Sequence, residues 1–157
     1  MGFAFRLEAV LKFRQRAVDR QSREVADAGR VVQLVTGQLV ELEQRFQREV
    51  DDSAGGAREI RIQDLMVKAA WLEYLRGQRQ DLEGELARAR RQLAAAQEKL
   101  TEAWRDLEVL ERLKRKQFAA WVQKIQKQES KDLDEIGQIR ADRRRRTNLA
   151  RQPEQLS

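Results

Sequence analysis

Of the side chains that do chemistry in proteins, this sequence offers carboxylates, ammonium and guanidinium groups and three indoles, but no cysteine and no histidine. Disulfides, thiolate nucleophiles, imidazole-ligated metals and the commonest general base are therefore outside its repertoire. Paired carboxylates remain available for acid–base work, but they need a walled pocket to shift their proton affinities. The spacing of the apolar residues gives none. The chain reads as non-enzymatic, without cofactor or metal, and its chemistry is that of contact with other macromolecules.

The positioning elements follow from composition. Of 157 residues only 6% are aromatic, 37% are charged and one is proline, too few bulky residues for a thick core. Ala, Leu, Glu, Lys, Arg and Gln dominate, and these lose little rotamer freedom on a helix. From Ala4, apolar residues recur at steps of three and four: Leu7, Leu11, Val18, Val25, Ala28, Val32, Val35, Leu39, Leu42 and Phe46, interrupted only by Arg14 and Gln21. A sustained repeat of about 3.5 residues specifies a left-handed coiled coil. The two polar intrusions weaken the seam and fix its register. Gly29 and Gly37 fall off the seam, as a close helix approach or a local bend.

The segment Asp51-Asp52-Ser53-Ala54-Gly55-Gly56-Ala57 is the clear break, because paired glycines end helices and turn chains. Residues 60–70 suggest a short separate helix, with Asp64 as its N-cap. From Leu72 the seam resumes through Leu75, Leu82, Leu86, Ala89, Leu93, Ala96, Leu100, Ala103, Leu107 and Leu110, with Arg79 the misfit. Beyond Leu110 the phase slips by one residue, a stutter, and the stripe continues through Phe118, Val122, Ile125, Ile136 and Ile139 with polar gaps at Glu129 and Asp132.

The fold class expected is all-α, two long helices in an antiparallel coiled-coil hairpin with the second helix longer and overhanging. Helix 1 is placed at residues 4–51, the turn at 52–59 and helix 2 at 60–142, in one domain of residues 1–150, with 143–157 as a frayed or disordered basic tail. Folding about Gly55-Gly56 sets Ala4 opposite Leu107, which leaves an overhang of roughly 45 to 50 Å at 1.5 Å per residue. Residues 107–157 hold 13 Lys plus Arg against 8 Asp plus Glu, so nearly all of the +6 net charge lies on that end. An apolar stripe beside a basic face asks for a partner groove with acidic walls.

Arg143-Arg144-Arg145-Arg146 is the one nucleic-acid-like signal. No recognition fold accompanies it, so it reads as solvated tail and no specific nucleic-acid binding is expected. Trp71 and Trp104 stand beside seam residues, where an indole either shields the seam or anchors a partner. Leu39, Leu42 and Phe46 are expected opposite Trp71, Leu72 and Leu75, as one apolar patch near the turn. The opening Met1-Gly2-Phe3-Ala4-Phe5-Arg6-Leu7-Glu8 has no sustained apolar run and does not read as a signal peptide. Nor is any run near the eighteen apolar residues, roughly, of a transmembrane helix. A cytoplasmic location is expected.

The opening Phe5-Arg6-Leu7-Glu8-Ala9-Val10-Leu11-Lys12-Phe13-Arg14 resembles the start of the FliJ family of flagellar type III export proteins. The glycine-containing break, the long second helix bearing Trp104 and the Glu129-Ser130-Lys131-Asp132-Leu133-Asp134-Glu135 segment are also similar to that family. The resemblance implies an export component at the flagellar base, peripherally associated with the inner membrane and shaped like the central stalk subunit of rotary ATPases. Its implied partners are the ring-shaped flagellar export ATPase, the membrane export-gate protein and export chaperones, which it escorts. Carried onto this sequence, it implies Phe118, Trp121, Ile125, Lys131, Asp134 and Glu135 as ATPase contacts. It implies Gln38, Leu42, Trp71 and Leu75 as gate contacts, with Arg45 and Glu49 standing where the family has aromatic residues. Two other readings compete: a homo-oligomeric scaffold whose overhang pairs with itself, and the equivalent stalk protein of a virulence type III secretion system.

Overall fold

The computed structural model describes residues 2–55 and 61–151. It is all-α: α1 runs Glu8–Ala54 and α2 runs Ile62–Ala150, with no strand among the described residues. The chain divides into two compact units, one of Val10–Glu108 and one of Met1–Ala9 with Val109–Ser157.

In the first unit α1 and α2 lie antiparallel as a hairpin. Arg14 Nη1 meets Asp106 Oδ2 at 3.0 Å, Arg79 Nη1 meets Glu43 Oε2 at 3.6 Å, and the Arg76 guanidinium lies 5.8 Å from the Phe46 ring centroid. The expected α2 seam positions of this unit, from Leu72 to Leu107, are all buried or half-buried, as are those of α1 from Leu11 to Phe46. Leu11, Val18, Val35, Leu42, Leu75, Ala89 and Leu107 form its buried core. The facing pairs place Val18, Val25 and Val32 level with Ala103, Ala96 and Ala89. Small residues facing β-branched ones suit a narrow two-helix seam, in which one row of side chains on each helix provides nearly all the apolar burial.

The two polar intrusions find different solutions. Arg14 lays its stem along the seam and carries its charge out to Asp106. Gln21 keeps its Oε1 buried with no hydrogen-bond partner, which costs stability. Gly29 and Gly37 mark no close approach: a Cβ built on either meets nothing within 4 Å. Arg79, the seam misfit, points out and pairs with Glu43 and Glu83.

Residue i of α1 faces a residue near 121 − i of α2, about ten positions further along than folding about Gly55-Gly56 gives. Helix ends explain the shift. α1 continues through Asp51-Asp52-Ser53 because the Gln47 amide donates to Asp51 (2.9 Å) and Ser53 Oγ donates to the Glu49 carbonyl (2.6 Å), before the Gly55 N–H closes on the Asp51 carbonyl. α2 begins at Ile62 and runs through residues 62–70 without interruption, so among the described residues no separate short helix precedes the main one. The Arg61 carbonyl accepts from both Asp64 and Leu65, so Asp64 is not the N-cap; it sits in the first turn, where its charge complements the helix dipole. Residues 56–59 of the expected turn, and residue 60 of the expected second helix, lie outside the described residues.

In the second unit the chain before Glu8 is not helical. Phe5 is buried and Phe3 half-buried, whereas Ala4, expected on the seam, is exposed. The reason is conformational: a repeat of about 3.5 residues positions side chains only on a helix. The Glu8 N–H donates to the Phe5 carbonyl (3.1 Å), and Glu8 Oε2 accepts from Lys114 Nζ at 2.8 Å. Phe3, the neighbour of Ala4, packs on Phe118 of the same unit. In this unit α2 is packed by the opening residues only as far as Val122, and every described residue from Gln123 to Arg151 is exposed. Helix persists to Ala150, beyond the expected end near 142, with the Arg151 N–H on the Asn148 carbonyl. The lone stretch is therefore ~40 Å long, starting later and ending later than expected.

Candidate partner-binding surfaces

The described residues include no group of His, Cys, Asp and Glu that could hold a metal ion, and no helix long and apolar enough to cross a membrane. Among the described residues, three surfaces hold the expected contact residues and their neighbours.

The first belongs to the unit holding the chain start. Phe3 stands edge-on to Phe118 (centroids 5.3 Å, 75°) and tilted against Trp121 (6.0 Å), and Phe118 and Trp121 stack at 5.8 Å. Lys114 Nζ, held by Glu8, lies 6.0 Å from the Phe5 ring centroid. Offset and edge-on rings add to what burial alone gives. Phe3 and Phe5 were not among the expected contact residues; their alternation, Phe-Ala-Phe, is the signal that points to a non-helical opening. Phe118 remains exposed on its outer side.

The second surface is the lone helix. At about 100° per residue, Phe118, Trp121, Ile125, Ile136 and Ile139 share one face. Lys131, Asp134 and Glu135 do not: Asp134 falls opposite Ile125, and Lys131 lines a shallow basic groove with Lys124 and Lys127. The six expected ATPase contacts are all on α2 and none is buried, but they occupy two faces.

The third surface lies in the hairpin. Of the four expected gate contacts, Leu42 (6% exposed) and Leu75 (1%) are seam residues, consistent with their heptad positions, and Leu75 offers no surface to a partner. Gln38 and Trp71 are exposed. Gln38 and Leu42 meet in a groove of about 370 Å³ with Glu41, Arg45, Gln78 and Leu82, Leu42 forming part of its floor. Trp71 does not line that groove; it stacks on Tyr74 at 5.4 Å, and the Tyr74 hydroxyl accepts from Gln78 Nε2 of the groove at 2.8 Å. Nearer the turn, Ile62, Leu65 and Met66 are exposed on one face of α2, a cluster that the step of three and four marks in the sequence. The expected single patch is therefore a polar groove plus a separate apolar tip.

The family model of the flagellar FliJ protein matches residues 3–146. The chain belongs to the FliJ family. No curated protein and no solved structure matches it. FliJ membership makes it a component of flagellar protein export, in a family that is non-catalytic. The match includes Phe3, the lone helix up to Arg146 and the whole hairpin, so all three surfaces lie in the part of the chain that FliJ proteins share.

Proposed function

We propose that this FliJ-family chain is a stalk-like factor that binds the flagellar export ATPase ring with the lone stretch of α2 and the membrane export gate with the hairpin. It raises hydrolysis by the ATPase and couples that hydrolysis to export, with an escort role for export chaperones. It works in the cytoplasm, peripherally associated with the inner membrane at the flagellar base.

The observation that carries the reading is the exposed helix from Gln123 to Ala150, which keeps an apolar stripe, Ile125, Ile136 and Ile139, that no described residue covers. Residues 123–151 hold nine Lys plus Arg against five Asp plus Glu, which favours insertion between acidic walls. Lys131, Asp134 and Glu135, on other faces of the same helix, suit a ring, because a shaft is touched from several sides at once. A shaft that meets ring subunits unequally stabilises some nucleotide states over others, and that difference in affinity is the whole of its effect on hydrolysis. In the hairpin, Gln38 with its groove, together with Trp71, Tyr74 and Met66, gives the gate two contact points; Leu42 and Leu75 hold the helices that present them.

Hydrolysis by the flagellar export ATPase, measured with the full chain and with a chain ending at Val122, tests the reading. The shortened chain keeps the hairpin and the Phe3 contacts. Stimulation by the full chain and none by the shortened one is expected. Full stimulation by both would place the ATPase contact elsewhere.

A further inference from the structure

The polar gaps in the lone helix follow a pattern of their own. Continuing the stripe at steps of three and four from Ile125 gives Ile125, Glu129, Asp132, Ile136, Ile139, Arg143, Arg146 and Ala150, all exposed on one face of α2. Read backwards from the midpoint between Gly137 and Gln138, this series is its own complement. Ile136 mirrors Ile139, Asp132 mirrors Arg143, Glu129 mirrors Arg146 and Ile125 mirrors Ala150.

We propose that residues 125–150 of α2 pair antiparallel with the same residues of a second copy of this chain. In such a pair, positions of the first kind on one helix meet positions of the second kind on the other, and a two-fold axis at the midpoint makes the surface self-complementary. Two Ile136–Ile139 layers form the centre. On each side of them Asp132 meets Arg143 of the second copy and Glu129 meets Arg146 of the second copy, four ion pairs in all.

Orientation and register are both specified. A parallel pair stacks Glu129 on Glu129 and Arg143 on Arg143, which repel. Sliding the antiparallel pair by one heptad in either direction sets both Ile136 and Ile139 against charged residues and breaks all four ion pairs. No described ion pair uses Glu129, Arg143 or Arg146 within the chain. Asp132 accepts one exposed hydrogen bond from Gln128 (2.9 Å), which water or an arginine can replace. Glu135 and Asp142 flank the seam and repel across it, but both stay in water, where such pairs are weak and screened. The pairing does not depend on the ATPase contact, and it covers the same stripe, so the two compete.

Sedimentation equilibrium of the full chain alone, with no ATPase present, tests this. The wild-type chain is expected to show a monomer–dimer equilibrium that shifts to monomer as salt rises. E129R/D132R and R143E/R146E, each with unchanged helix content, are each expected to lose the dimer, because like charges then face one another. Mixed one to one, they are expected to regain it as a heterodimer, since every pair becomes opposite again. A wild-type chain that stays monomeric up to its solubility limit overturns the proposal. So does a dimer that persists in either variant, or a mixture that stays monomeric.

Discussion

Leu75 and Trp71, four residues apart on α2, carry opposite expectations. Leu75 is the one fully buried side chain among the described residues, 1% exposed, whereas Trp71 is 42% exposed and stacks on Tyr74. Leu75→Ala removes three buried carbons, and buried Leu→Ala changes cost ~2–5 kcal/mol, depending on how far the surroundings collapse. A two-helix seam relaxes more readily than a thick core, so the low end applies, about 2 kcal/mol. For a chain of this size that lowers the melting midpoint by roughly 4–8 °C. Trp71→Ala removes a half-covered surface ring and is expected to shift the midpoint by no more than about 2 °C. Thermal melts followed by circular dichroism at the helix band measure both. If Leu75→Ala melts like the parent chain, Leu75 is not the seam residue described and the register of the hairpin is wrong.

Other perturbations follow from the same packing. Gln21→Leu removes a buried oxygen that has no partner and fills the seam, so stability should rise by about 1 kcal/mol in urea melts; a loss would mean the amide is satisfied. Gly37→Ala combined with Gly84→Ala should add roughly 1–2 kcal/mol, since both glycines are in helix interiors and an added Cβ meets nothing within 4 Å; destabilisation would reveal a contact at either site. Phe3→Ala uncovers one side of Phe118 and Trp121 and should shift tryptophan emission to the red while helix content holds, because residues 2–7 are not helical. Unchanged emission would place Phe3 away from the indole.

The seam was legible in the sequence because a coiled coil writes its contacts as a repeat, and from Leu11 to Phe46 and Leu72 to Leu107 every apolar position of the repeat is covered. The register was not, because it depends on where each helix stops. That is set by single hydrogen bonds, Ser53 to Glu49 at one end and the Arg61 carbonyl at the other, which propensity does not resolve. The opening was misread for a related reason: the repeat nominates Ala4, and only the loss of helix before Glu8 turns Phe3 and Phe5 onto α2. Leu42 and Leu75, carried over from the family as gate contacts, are also seam residues by their own spacing, and both are buried. The stripe on Ile125, Ile136 and Ile139 was readable throughout; its lack of a neighbour from Gln123 onward required the packing.

Site-specific photo-crosslinking of the full chain to the flagellar export ATPase tests most directly whether the lone helix is the part that enters the ring. A photoreactive residue is placed in turn at Ile125, Lys131, Ile136 and Trp71, covering two faces of the helix and the hairpin. Crosslinks to the ATPase from Ile125, Lys131 and Ile136 but not from Trp71 are the predicted result. Crosslinks from Trp71 alone would contradict the account and move the ATPase contact to the hairpin.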